Sequence, residues 1–308
     1  MIALGLVLLV LAADRLVVAV VKISRALGLS AILVGAVVVG LGTSIPELIV
    51  SALAAADDNL DVAMANVVGS NITNITLVLG TAAIVAAVRP RLQTLRREGV
   101  LMLASVVALL VVLVDGSVAR YEGVLLLGGL VVALVLLVRW SMLDSQHEER
   151  VGESVAASVA GERRPLVFDM VMGLGALVLT VYAADILLNG ALDVGERLEL
   201  SPAFLGVMLG IGTSLPELAT AMAAVRRNES DLVIGNVLGS NLFNSLAVAG
   251  SAAVVRGGSL DDLDSSLLWI MLIVALAAGV ISRTGSRIAK GEGAILLVGF
   301  VVFLGVAY

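Results

Sequence analysis

Residues 42–80 read GTSIPELIVSALAAADDNLDVAMANVVGSNITNITLVLG, and residues 212–250 read GTSLPELATAMAAVRRNESDLVIGNVLGSNLFNSLAVAG. Laid side by side without a gap, the two stretches are identical at 16 of 39 positions. Shared hydrophobicity does not reproduce Gly, Thr, Ser, Pro, Glu and Asn in the same order, so the pair is an internal duplication. Upstream, after a one-residue gap, Ala12-Ala13-Asp14 matches Ala183-Ala184-Asp185, and Leu29-Ser30 matches Leu200-Ser201.

The repeats are embedded in lipid-like sequence. Of 308 residues, 60% are hydrophobic and 14% charged, where a soluble domain averages about 45–50% and 25%. Apolar runs of about 20 residues recur, each long enough to cross about 30 Å of hydrocarbon as a helix. Hydropathy puts ten spans near 2–20, 31–55, 62–87, 99–114, 122–139, 166–188, 202–225, 232–255, 266–282 and 293–307. Lys and Arg alternate between connections: fifteen follow odd-numbered spans, three follow even-numbered ones and Arg15 lies inside the first. The positive-inside rule then puts both termini outside the plasma membrane. The first run begins at Met1 with no basic segment before it, which reads as a first spanning helix and not a cleaved leader.

Five spans separate equivalent points of the two copies, so the second copy enters the membrane from the opposite side. The predicted fold is all-α and integral to the membrane, with ten transmembrane helices as two inverted five-helix repeats. The first repeat covers 1–139 and the second 166–308. The polar stretch 140–165, holding Glu148, Glu149, Arg150, Glu162, Arg163 and Arg164, reads as a cytoplasmic linker. Inverted repeats are a mark of alternating-access carriers, whose ion sites lie near the bilayer midplane.

Glu47 and Glu217 occupy equivalent positions within long apolar helices. A charge at the bilayer centre costs about 2.5–3.5 kcal/mol or more, so its default reading is functional. Pro46 and Pro216 precede them and remove the bond to the carbonyl four residues back, at Gly42 or Gly212. Thr43, Ser44, Thr213 and Ser214 add hydroxyls. In the next helix Asn66, Ser70 and Asn74, like Asn236, Ser240 and Asn244, recur every fourth residue and stack on one face. Interhelical hydrogen bonding is the competing reading, above all for Asn66 and Asn236, with Gly69 and Gly239 at a close contact. Asn71 and Asn241 point away from this face and read as structural.

Every donor in this set is oxygen, which suits a hard cation with six to eight ligands at about 2.3–2.6 Å. The chain has no cysteine, and its one histidine, His147, sits in the polar linker. Thiolate sites, imidazole-rich zinc sites and cysteine or histidine nucleophiles are thereby excluded. The net charge of -6 says little until it is placed on a topology, since composition already forces lipid contact, and no nucleic-acid partner is expected. No cofactor and no obligate protein partner is expected, and GTS-x-P-E matches no enzyme motif.

GTSIPE with GSNITN, and GTSLPE with GSNLFN, resemble the paired repeats of the calcium/cation antiporter superfamily, in its sodium/calcium exchanger branch. The resemblance implies a carrier that exports calcium against sodium, electrogenically, at three sodium per calcium. It assigns Glu47, Glu217 and the Thr43 and Thr213 carbonyls to calcium. Ser44, Ser70, Ser214 and Ser240, with the carbonyls of Gly40 and Gly210, would flank them as sodium ligands, and Asn74 and Asn244 would line the middle. It further implies that the first and sixth spans, weakly polar at Asp14 and Asp185, slide against the rest. The proton/calcium branch, which carries GN-x-x-E instead, is the alternative.

Overall fold

The structure is a computed structural model that describes residues 1–152, 165–198, 211–284 and 287–307. Its elements are α1 (Ile2–Leu27), α2 (Ala31–Thr43), α3 (Ile45–Ala56), α4 (Leu60–Val85), α5 (Leu92–Arg96) and α6 (Glu98–Leu113). After the two-residue strand β1 (Ser117–Val118) come α7 (Arg120–Gly152), α8 (Leu166–Arg197), α9 (Leu215–Arg226) and α10 (Ser230–Val255). Strand β2 (Gly258–Ser259), α11 (Ser265–Thr284) and α12 (Lys290–Ala307) follow.

Local chemistry explains the punctuation. Gly28 ends α1 at φ 61°, a left-handed conformation that suits glycine, and Leu29 N–H then reaches back to the Ser24 carbonyl at 2.9 Å. Ser30 opens α2 by accepting the Leu33 N–H at 3.2 Å. The chain breaks at Ser44 (φ -86°, ψ 10°) and restarts with Pro46 in the first turn of α3, where its missing N–H costs nothing. The resulting bend between α2 and α3 is 43°. Ser214 (φ -89°, ψ 7°) and Pro216 repeat this at the start of α9.

Seven described helices are long and apolar enough to cross a bilayer, or eight if the bent α2–α3 pair counts as one span. The expected ten are not reached on that basis. α6 has 16 residues, about 24 Å of helix, and the expected span at 202–225 begins in residues outside the described set. Several helices outrun their hydrophobic stretches: α1 ends at Leu27 and not near 20, and α8 runs to Arg197 and not 188. α7 continues through Gly152, so the first half of the expected linker is helical; residues 153–164 lie outside the description.

α4 and α10 form the centre, with 78% and 94% of their apolar windows buried, against 22–44% for the other spans. Glycines set the closest crossings. A Cβ on Gly40 would fall 2.8 Å from Ser240 N, and one on Gly235 would sit 3.1 Å from Gly35 Cα, so α2 and α10 meet backbone to backbone. Gly239 belongs to this seam, as expected. Gly69 does not: a Cβ there would meet only the Phe303 ring at an ordinary 3.7 Å.

Several contacts recur with the halves exchanged. Val88 bridges Ile288, and Val118 pairs with Gly258; adding 170 to the first partner of each bridge gives the second partner of the other. Gly80 meets Gly293 and Gly250 meets Gly123 with the same spacing. α1 and α8 lie antiparallel and tight: Ile2 is against Gly190, Gly5 against Leu187 and Ala19 against Gly173.

Candidate functional site

The two breaks bring the acidic side chains to the interior. Glu47 is 0% and Glu217 1% exposed, each in the first turn of the helix that follows its break. The halves meet here: Ser44 Oγ donates to Glu217 Oε1 at 3.1 Å across 173 residues of sequence. Neither glutamate makes an ion pair among the described residues.

Around them lie the other residues of the set. Thr43, Ser44, Ser70, Asn74, Thr213, Ser214, Ser240 and Asn244 are all buried, as is Gly40. Ser240 Oγ donates to the Gly40 carbonyl at 3.2 Å, which joins two residues of the flanking sodium set. Thr43 Oγ1 donates to the Val39 carbonyl at 2.8 Å. Gly210 falls outside the described residues.

Much of the polar capacity here is unspent. Both Glu47 oxygens, Glu217 Oε2, Ser70 Oγ, Ser214 Oγ and the amide groups of Asn74 and Asn244 are buried without a hydrogen-bond partner among the described residues. An unmet buried polar group costs about 1–3 kcal/mol, more for a charge, and native interiors hold few. Here they are carried by α3, α4, α9, α10 and the break before α9. No group of three or more His, Cys, Asp or Glu exists among the described residues, so the cluster is two carboxylates among neutral oxygens. That donor chemistry fits a hard cation.

The backbone of α4 and α10 carries a feature that side-chain spacing did not reveal. In both α4 and α10 the helix widens to π-helical turns, over Asn74–Val78 and Asn244–Val248, beginning at the two buried asparagines. Such turns cluster at functional sites. Another π segment, Gly35–Gly40, leads into the first break.

Sequence reasoning also missed what Asn66 and Asn236 hold. Asn66 Nδ2 donates to the Glu47 carbonyl at 3.4 Å and to Ser51 Oγ at 3.0 Å. Asn236 Nδ2 donates to the Glu217 carbonyl at 3.1 Å and to Thr220 Oγ1 at 3.2 Å. Each thus ties the glutamate's main chain to the following helix, the hydrogen-bonding reading of these residues. Ser51 lies four residues after its glutamate and Thr220 three after, so comparing the repeats position by position conceals the correspondence. Asn71 is structural as expected: its Nδ2 donates to Ser245 Oγ at 3.0 Å. Asn241 donates to its own helix, at the Val237 carbonyl.

The α1–α8 pair covers both breaks. A Cβ on Gly42 would fall 2.5 Å from the Leu177 side chain, and one on Gly212 would collide with Leu188. Both leucines belong to α8.

Comparison with known proteins finds relatives along the whole chain. YrbG, an inner membrane protein of Escherichia coli strain K12, is 35% identical over 312 residues, covering 99% of this chain and 94% of that protein. The sodium/calcium exchanger MaX1 of Methanosarcina acetivorans is 27% identical over 99% of this chain and 97% of its own length. Structures of the sodium-calcium exchanger NCX_Mj soaked with sodium and strontium superpose with a TM-score of 0.85 at 26% identity, over 99% of this chain and 96% of that one. The pattern of the sodium/calcium exchanger protein family matches residues 1–139 and 168–308. With the buried glutamate pair and its two GTS-x-P-E breaks in place on a multi-pass membrane fold, this chain belongs to the sodium/calcium exchanger family of transporters.

Proposed function

We propose that the protein exports calcium across the plasma membrane in exchange for sodium, by alternating access to the site between α3 and α9. The observation that carries this reading is the set of buried polar atoms without partners on Glu47, Glu217 and the neighbouring Ser and Asn side chains, with no cationic side chain paired to either glutamate among the described residues. Such a site is stable only when cations occupy it. Calcium takes the two carboxylates and the Thr43 and Thr213 carbonyls. Sodium ions use Ser44, Ser70, Ser214 and Ser240 with the Gly40 and Gly210 carbonyls, while Asn74 and Asn244 line the middle.

Charge arithmetic favours three sodium per calcium. Two carboxylates with one calcium are neutral; with three sodium ions they carry one positive charge, so each cycle moves one net charge. The chain is organised as ten spans in two inverted repeats, 1–139 and 166–308, joined by a cytoplasmic linker at 140–165, with both termini outside. The exchanged contact pairs and the alternation of Lys and Arg support that arrangement.

The test is calcium uptake into sealed vesicles containing the purified protein. An outward sodium gradient should drive it, and a potential set with valinomycin should change its extent. Uptake driven by a pH gradient and indifferent to sodium would replace this reading with proton/calcium exchange.

A further inference from the structure

α1 and α8 pack against each other as an antiparallel pair, and what fixes their position bears on access, because Leu177 and Leu188 of α8 press on the two breaks. One link between this pair and the ion-binding helices is unlike the others. Asp14, in the middle of α1, accepts from Arg227 Nε and from an Arg227 terminal nitrogen, both at 2.7 Å. Arg227 caps the C-terminal end of α9, the helix that begins with Glu217. This two-toothed geometry is the strong form of the carboxylate–guanidinium bond. The neighbouring Arg25–Glu229 contact is a single approach at 3.7 Å. Lys22–Asp169, at 3.6 Å, joins α1 to α8 and so lies within the pair.

The repeat relation exposes an asymmetry. Asp14 corresponds to Asp185, and Arg227 to Asp57. Two access states of an inverted-repeat carrier exchange the roles of its halves. The bond seen here would therefore have Asp185 facing Asp57 as its mirror image, two like charges that repel.

We propose that Asp14 and Arg227 are positioning residues: their ion pair holds the α1–α8 pair in the access state described here, and the opposite state has no equivalent hold. The proposal rests on the alternating-access part of the function given above. The carrier is biased toward one side by a bond some distance from the ions, and Asp14 is the point where that bias is set.

Because the chain lacks cysteine, a distance measurement is direct. Leu4→Cys on α1 and Val111→Cys on α6, both well exposed, would carry spin labels on purified protein in lipid nanodiscs. Asp14→Asn should move the ratio of the two distance populations about fivefold away from the state seen here. Asp14→Arg combined with Arg227→Asp should restore it, which loss of packing alone would not allow. Lys22→Gln, which breaks a contact inside the pair, should leave the ratio alone. Asp57→Arg supplies the missing mirror partner for Asp185 and should shift the ratio the opposite way. An unchanged ratio in Asp14→Asn, or a charge swap that fails to restore it while the protein stays folded, overturns the proposal. The readout does not depend on transport: if the vesicle assay shows sodium-driven uptake and the distances do not move, only the positioning role falls.

Discussion

Replacing Ser44 by alanine removes the hydroxyl that donates to Glu217 Oε1 at 3.1 Å. The same change at Ser214 removes a hydroxyl with no partner among the described residues. The two motifs are equivalent in sequence, so the difference in outcome comes from the tertiary arrangement alone. A hydrogen bond to a charged group contributes about 1.5–3 kcal/mol in soluble proteins. Bonds between membrane helices average about 0.6 and reach about 1.7 kcal/mol. For a carboxylate acceptor that is fully buried, Ser44→Ala should cost about 1–2 kcal/mol in protein stripped of sodium and calcium. At about 2.1 cal/mol/K of unfolding entropy per residue, a chain of this length converts that to a fall in Tm of about 2–3 °C. Ser214→Ala should be neutral or slightly stabilising, since it removes a desolvated hydroxyl that bonds to nothing. The assay is thermal unfolding in detergent with a chelator present and sodium absent. Equal falls in the two variants, or a larger fall for Ser214→Ala, would refute the assignment of the Ser44–Glu217 bond. Addition of sodium supplies a second arm: stabilisation by ligand follows RT ln(1 + [L]/Kd), and both variants, each lacking a proposed sodium ligand, should gain less from it than the parent.

Glu47→Gln and Glu217→Gln should each abolish calcium uptake in vesicles while the protein elutes from gel filtration as the parent does, because the amide keeps the shape and removes the charge. Asn236→Ala should lower Tm more than Asn66→Ala: Asn236 is 1% exposed and bonds at 3.1 and 3.2 Å, whereas Asn66 is half-buried and reaches the Glu47 carbonyl at 3.4 Å. Gly293→Ala puts a Cβ 2.8 Å from the Gly80 carbonyl and should cost about 1–3 kcal/mol; Gly128→Ala, with nothing within 4 Å, should stabilise the helix by about 0.5–1 kcal/mol, both read by the same melts. With one net charge per cycle, clamping vesicles at 100 mV should shift the equilibrium calcium gradient by the equivalent of about 2.3 kcal/mol; a gradient insensitive to voltage would exclude the three-to-one ratio.

Much of the site was legible because its residues break the rules of their surroundings. A glutamate preceded by proline inside an apolar helix is conspicuous once and unmistakable twice, and the four-residue spacing of Asn66, Ser70 and Asn74 needs only helical geometry. Helix ends were less legible. α1 and α8 continue past their apolar stretches because nothing stops a helix until a residue such as Gly28 adopts a left-handed turn, and hydropathy does not register that. The π-helical turns at Asn74 and Asn244 were illegible, since one extra residue per turn leaves the order of residues unchanged.

What the amino-acid order determined by itself was membrane residence, the duplication, the two breaks and the oxygen-only chemistry, because each depends on composition or on residues within a few positions of one another. What only the tertiary structure decided was the use made of them: that Ser44 and not Ser214 donates across the halves, that Asn66 and Asn236 hold the glutamate carbonyls, and that Asp14 meets Arg227. Ser44–Glu217 and Asp14–Arg227 join residues 173 and 213 positions apart. The two equivalent motifs acquire different partners because close packing sets the interlocked halves asymmetrically in the state described here.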